Sequence, residues 1–570
     1  MTAVDRPSPD ERRAALVERW PSWESLTIDG LLDRATAEFA SRDYVVTNDR
    51  SWTYAEVSDW SQRIAGALRG LGVAPGDHVA IVMANCPEFV ALKYAISRVG
   101  ATCIPINYLN RQHELGYVLG QSDASLLVTM ASFRDLDYLS MLDELAPGWE
   151  QSGGGTAFPK LRNVVVHSMP GGTGRDGARS FSELERGDPW TGRDNPDPHS
   201  VSDILYTSGT TGSPKGAMLS HDQYLRAAFG SVYGRAFDHG WRVTFSLPMY
   251  HVFGYAEGML TVPFVGGAIV AQEQFDPAAT LQAIQDHRCD DVLLVPTMTR
   301  LVLDELKANP SYDLSSLRAV ISSGQRSPAG MFEEIFELMD PDEVTTGYGM
   351  TEVTATTTCT RPKDSRDLLY TQGVRRSVGP AGDPERNGLL VDYRVVDPQT
   401  GDILGPGQVG ELRAKGIGVT RGYYGKPEEN AAAFDDDGWF GSGDLGSFDE
   451  DGYLTLAGRL KETYRVGGEQ VMPTEIEELL TRQPDVVQAH VVPVPDDRMG
   501  EAGVAWVVLR PAATTTLDEL QQLCAENLAR FKVPKYVLQI DADDLPTTPS
   551  GRARKFLLSE RAIDHLGLHQ

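Results

Sequence analysis

Short, unbroken apolar runs set between helical stretches constrain this chain more than any other feature. Val79-Ala80-Ile81-Val82-Met83 and Asp291-Val292-Leu293-Leu294-Val295-Pro296 are continuous rather than alternating, as suits strands buried on both faces. Helical spacing fills the intervals, over Ile28–Phe39, Pro87–Val99, His221–Gly230, Phe253–Leu260 and Thr297–Lys307. Such alternation implies βαβ units, hence an α/β fold with mostly parallel sheets. A chain of 570 residues is too long for one core. From about Leu389 to Tyr453 the runs shorten between tight turns and predict a β-rich subdomain. After Gly458-Arg459-Leu460-Lys461 comes a compact α+β unit, with helices at Thr474–Leu480 and Leu517–Arg530. The expected division is a large N-terminal domain, 1–458, and a small C-terminal domain, 459–570. Residues from about Pro147 to Ser200 carry glycine clusters and read as a surface excursion around Val164-Val165-Val166, without chemistry.

In open α/β sheets, ligands sit beyond the carboxyl ends of the strands. Three strand ends here run into unusual sequence. After Ile204-Leu205-Tyr206 comes Thr207-Ser208-Gly209-Thr210-Thr211-Gly212-Ser213-Pro214-Lys215-Gly216, with three glycines, five hydroxyl residues and one lysine in ten positions. Glycine lets the backbone approach a ligand, and successive N–H groups, hydroxyls and an ammonium make an anion-sized donor cluster. An isolated loop of this composition could equally be an ordinary hydrophilic turn. The strand before it and the Pro-Lys-Gly after it favour a polyphosphate site. The spacing is not that of the P-loop, because Gly216 follows Lys215. Two further strands, Leu317–Ile321 and Glu343–Thr346, end at Gly324 and Gly347, and all three ends are expected to meet at one crevice.

The balance of 52 basic against 80 acidic residues, a net charge of −28, argues against a nucleic-acid-binding surface and against anionic lipid. Any site for a polyphosphate must therefore gather cations locally. Residues 1–20 are charged and do not read as a signal peptide, and no run of about 18 apolar residues exists to span a membrane. Five scattered cysteines without a C-x-x-C pair predict reduced thiols, no zinc site and a cytoplasmic protein.

The loop at 207–216 resembles the phosphate-binding motif of the AMP-forming adenylating enzymes, the superfamily of acyl-CoA synthetases, peptide-synthetase adenylation domains and firefly luciferase. Further matches follow in the family's order over nearly the whole chain. Thr346-Gly347-Tyr348-Gly349-Met350-Thr351-Glu352 is similar to its second signature. An aromatic ring bounded by glycines can lie against a purine, and a Thr–Glu pair offers the hard oxygens that Mg²⁺ prefers. The resemblance implies that Tyr348 packs near adenine, Thr351 contacts phosphate and Glu352 holds the magnesium of MgATP. Met249-Tyr250-His251-Val252-Phe253-Gly254 resembles the motif that gates the acyl pocket, with Phe253, Tyr255, Met259 and the Val344-Thr345 strand as lining. Ser323-Gly324-Gln325-Arg326 occupies the segment beside adenine, where Gln325 and Arg326 replace the usual small residues and Arg326 could bring a guanidinium near substrate. Asp444 of Gly443-Asp444-Leu445-Gly446 matches the aspartate that accepts both ribose hydroxyls, and Arg459 the arginine that binds ribose or phosphate. Lys461 aligns with the family's hinge, about which a mobile C-terminal domain turns. Val466-Gly467-Gly468-Glu469 resembles the loop lining the pantetheine tunnel.

The match departs at one position. After Leu545-Pro546-Thr547-Thr548-Pro549-Ser550-Gly551 the family usually has lysine, and here stands Arg552. A carboxylate approaching an anionic α-phosphate meets repulsion of about 4 kcal/mol at 4 Å and an effective dielectric near 20, so a cation between them matters. Arg552 keeps the charge with a different shape. Lys555 is the other candidate, although in an extended tail an offset of three residues would face it the opposite way.

The resemblance implies ATP-dependent conversion of a small-molecule carboxylic acid to acyl-AMP, with Mg²⁺, followed by thioester formation with CoA. Two alternatives stay open: a diazotase activating nitrite for an arylamine, and a nucleotide-binding relative without turnover. Neither the acid nor the oligomeric state, a homodimer among the options, is legible.

Overall fold

The apolar run at Val79–Met83 becomes the strand His78–Val82, buried over its last four residues. In the computed structural model, which describes residues 7–168, 175–195, 197–207, 214–325, 327, 330–467, 469–547 and 552–568, this strand lies inside a seven-stranded sheet. Its order is Lys215–Ser220, Val201–Thr207, Thr102–Pro105, His78–Val82, Leu126–Met130, Asn163–His167 and Arg179–Ser180. All neighbours are parallel except the first pair, where Lys215–Ser220 returns antiparallel along Val201–Thr207. A second seven-stranded sheet runs Glu343–Thr345, Ala319–Ser322, Asp291–Leu294, Arg242–Phe245, Ala268–Ala271, Asp43–Val46 and Ser51–Thr53. It too is parallel apart from its last pair.

Helices Ile28–Phe39, Tyr54–Gly70, Pro87–Arg98 and His221–Gly234 share one continuous core with both sheets. Their starts are marked locally. Thr53 with Glu56, and Ser220 with Gln223, form reciprocal capping boxes that satisfy backbone N–H groups at the first turn. A four-stranded antiparallel sheet, Asp392–Val396, Gly410–Lys415, Phe440–Phe448 and Leu454–Arg459, forms the β-rich part. The 3₁₀ turn Leu460–Glu462 leads from it into a five-stranded sheet with a separate small core on each face.

Three local expectations differ from the structure. The helical stretch at Phe253–Leu260 is a single turn, Val252–Gly254, running into a π-turn over Tyr255–Met259. Residues past 551 form a helix, Lys555–Leu566, whose apolar side closes one face of the small sheet through Leu558 and Ala562. The excursion between Pro147 and Ser200 is tied to the body, since Arg193 pairs with Asp29 and Asp33.

His221 carries a testable consequence. It is 2 % exposed, and its Nδ1 accepts from the Ile28 N–H at 3.3 Å. Burial holds its pKa down to about 4, against the nearby Asp29 and Asp203. Below the ordinary value near 6.5 the unfolded chain binds this proton and the folded chain does not. Its contribution is therefore whole at pH 7 and is lost as the pH falls from about 6.5 towards 4, up to about 3 kcal/mol. Urea unfolding at pH 7.0 and 4.5 should show this slope, and His221→Asn, which keeps an acceptor for Ile28, should flatten it.

Candidate active site

The antiparallel return of Lys215–Ser220 sets Thr207 opposite Lys215, so the two flank the glycine-rich loop. Ser208, Gly209, Thr210, Thr211 and Gly212 of that loop lie outside the described residues. Lys215 sits 5.1 Å from the Tyr423 ring centroid, and the Tyr423 hydroxyl donates to Glu352 Oε1 at 3.0 Å. Tyr423 comes from a segment that extends the sheet edge. The Met218 N–H reaches the Gly422 carbonyl and the Tyr424 N–H the Gly216 carbonyl. Burial pushes the Glu352 carboxyl above its ordinary value, opposed by the Tyr423 hydroxyl and by the charge of Arg459. A desolvated carboxylate on a cleft wall that also carries Thr351 fits Mg²⁺, which takes few protein oxygens and completes its shell with water and phosphate.

Glycine shapes the next turn. A Cβ on Gly349 would lie 1.7 Å from the Ala355 carbonyl oxygen, and one on Gly347 2.2 Å from that of Thr358. The two strands Gly347–Met350 and Ala355–Cys359 can approach only because these side chains are absent. Gly349→Ala is expected to lower unfolding stability by about 1–3 kcal/mol in a denaturant titration, as overpacking does. Ser323 couples this turn to the neighbouring strand end: its Oγ donates to the Gly347 carbonyl at 2.7 Å and accepts from its N–H at 3.2 Å.

Asp444 and Arg459, fifteen residues apart, are direct cross-strand partners in the hairpin of the four-stranded sheet. Arg459 Nε lies 2.9 Å from Asp444 Oδ1, and the Tyr348 hydroxyl donates to Asp444 Oδ2 at 2.8 Å. The adjoining 3₁₀ turn presents Glu462, on which two cations converge: Arg552 Nη2 at 3.3 Å and Lys555 Nζ at 3.0 Å. Burial opposes the charge on Glu462, but Lys555 and then Arg552 keep its carboxyl below the ordinary value. Lys555 also pairs with Glu477 at 2.7 Å. Arg552 and Lys555 share a side because the tail is not extended there. A bridge from Ala553 back to Thr547 and the bond from the Arg554 N–H to the Pro546 carbonyl end the extended run, and the helix then begins at Lys555.

These elements enclose a cleft of ≈ 1280 Å³. Thr207, Lys215, Gly324, Gly349, Met350, Thr351, Glu352, Arg459, Lys461 and Arg552 line it, with His251 and Phe253 at an apolar end beside Tyr250, Leu247 and Val295. Burial holds the His251 imidazole at a pKa of about 4, and its Nδ1 accepts from the Phe253 N–H, so the ring is neutral. Thr346, Gly347, Tyr348 and Asp444 stand behind this lining, all buried. The Gln325 amide nitrogen is buried with no partner among the described residues, and Arg326 lies outside them.

Several expected residues are elsewhere: Met259, Val344 and Thr345 are buried outside the cleft lining. Tyr255, 2 % exposed, packs edge-on against Tyr224 and over Lys93 in the core, because the π-turn rotates it inward. Gly467, at φ +60°, turns a hairpin against Met499, outside the cleft lining, and Gly468 is not among the described residues. Tyr423 and Glu462 were not anticipated. The Gly422-Tyr423-Tyr424-Gly425 cluster was a signal for the first; nothing local marks Glu462.

The glycine-marked ends of parallel strands thus meet a cation-lined cleft beside a small C-terminal unit. The chain belongs to the AMP-binding enzyme family, matching it over residues 32–424 and its C-terminal domain over residues 475–552. It is 33% identical over 555 residues to YngI of Bacillus subtilis (strain 168), covering 95% of this chain and 98% of that one. Feruloyl-CoA synthase of an Amycolatopsis species is 33% identical over 508 residues, 88% of this chain and 92% of its own. Among solved structures, ATP-bound MatB from Rhodopseudomonas palustris superposes with a TM-score of 0.80 at 28% identity, over 95% of this chain and 100% of that one. No described helix is long and apolar enough to cross a membrane, and all five cysteines are free and buried.

Proposed function

We propose that the protein joins a carboxylic acid to CoA through an acyl-adenylate. The observation that supports this best is the convergence of Lys215, Glu352, Arg459 and Arg552 on one cleft that ends among Tyr250, His251 and Phe253. In the first step a carboxylate oxygen attacks the α-phosphorus of ATP and the bond to pyrophosphate breaks. Lys215 and the loop after Thr207 take the β- and γ-phosphates, and Arg552 lies between the two approaching anions. Glu352 and Thr351 would hold Mg²⁺, which would supply further neutralisation of phosphate charge. Most of the rate would come from position and fixed charge. A neutral His251 next to Phe253 can border the acyl group without adding charge.

In the second step the CoA thiolate attacks the acyl carbon and the bond to AMP breaks. The C-terminal domain, 459–570, would turn about Lys461, withdrawing Arg552 and bringing the Gly467–Gly468 hairpin to the cleft. The present position of Arg552 fits the first step, and that of Gly467, beside Met499, fits a domain that has not yet turned.

Pyrophosphate release with MgATP across a library of carboxylic acids, followed by CoA, tests the reading. Release that depends on an acid, with thioester formed on adding CoA, is the expected result. Release only with nitrite plus an arylamine would replace it with diazotisation. ATP binding without release across the library would leave a non-catalytic relative.

A further inference from the structure

Outside the cleft lining, Cys86, Glu88 and His167 bring one thiol, one carboxylate and one imidazole together, with their ligand atoms all within 4.8 Å of one another. Two rigid elements supply them. Cys86 is the extended residue capping the helix Pro87–Arg98, with Pro87 fixing the first turn and Glu88 following it. His167 ends the strand Asn163–His167, where its carbonyl accepts from the Ala131 N–H at 3.1 Å and its ring stands edge-on to Phe181 at 5.2 Å. Cys86 and His167 are buried, at 8% and 7% exposure.

We propose that Cys86, Glu88 and His167 form a binding site for a borderline-soft divalent cation of the zinc class. Thiolate and imidazole select against Mg²⁺ and Ca²⁺, and a third oxygen ligand leaves one tetrahedral position for water. Around a tetrahedral zinc such atoms lie about 3.3–3.6 Å apart, so the cluster needs only a contraction of about 1 Å, within the reach of side-chain torsions. Asn85, next to Cys86, holds the Leu247 and Gln272 carbonyls and the Met249 N–H. A bound cation would therefore brace the segment that leads into His251. The proposal runs against the expectation, drawn from cysteine spacing alone, that the chain has no zinc site. It also gives chemistry to the excursion between Pro147 and Ser200.

The test uses the full chain, reduced and stripped with chelator, without nucleotide, so that its failure says nothing about adenylation. Co²⁺ is titrated as the spectroscopic probe. The expected result is a saturable, one-to-one thiolate–cobalt charge-transfer band in the near ultraviolet that Zn²⁺ displaces. Cys86→Ser should abolish the band, and His167→Asn and Glu88→Gln should each weaken Co²⁺ binding by at least about tenfold. Should Cys86→Ser fail to fold by circular dichroism, the other two variants decide, and unchanged affinity in both overturns the proposal. Absence of the band in the parent chain, or its survival in folded Cys86→Ser, overturns it as well.

Discussion

Arg552→Ala is expected to slow acyl-adenylate formation by about 10²–10³-fold, the usual cost of removing one preorganised charge from a transition state. Thioester formation from supplied acyl-adenylate should change little, because in that step the C-terminal domain would have withdrawn this side chain. Two cations compete for the role, and geometry separates them. Both line the cleft, but Lys555 is held by Glu462 and Glu477 with its side chain only 16% exposed, whereas the Arg552 side chain is 40% exposed. Desolvation first, and the neighbouring Arg459 second, lower the proton affinity of the Arg552 guanidinium, as expected for two like charges facing a space that an anion would fill. Lys555→Ala should therefore loosen the C-terminal domain and leave adenylation within about tenfold of the parent. Arg552→Lys should also lose about tenfold, since an ammonium cannot hold Glu462 and reach the cleft with one planar fork. Pyrophosphate exchange on the three variants reads all of this. A neutral Arg552→Ala beside a crippled Lys555→Ala would move the role to the lysine.

Asp444→Ala should cost about 10²-fold in kcat/KM for ATP. Removing one partner of a buried charge pair costs about 2–5 kcal/mol, and here both Arg459 and the Tyr348 hydroxyl lose their acceptor. If the carboxylate also reads the ribose, 3′-deoxy-ATP should be a poor substrate for the parent and no worse than ATP for the variant. That coupling is what a double-mutant-style cycle isolates. Additive losses would mean that Asp444 only braces Arg459.

How much of the site was legible follows from the range of each interaction. Asp444 and Arg459 could each be singled out from sequence by resemblance, and the hairpin turned their fifteen-residue separation into a cross-strand contact. Gly324, Gly347 and Gly349 could be placed because strand ends in parallel sheets share one edge. Tyr255 could not. Its spacing from Phe253 suits a pocket wall, and only the π-turn over Tyr255–Met259 sends it into the core.

What the sequence determined by itself was therefore the class of fold and the order of the motifs, since both rest on backbone periodicity and on glycine at strand ends, which act within a few residues. The tertiary structure decided which charges share a partner. Tyr423 reaches Glu352 from 71 residues away, and Arg552 reaches Glu462 from 90. It also decided that Lys555 joins Arg552 on one side, through a helix start at the tail. Contacts at such separations are set by how layers stack, and no local pattern carries that information.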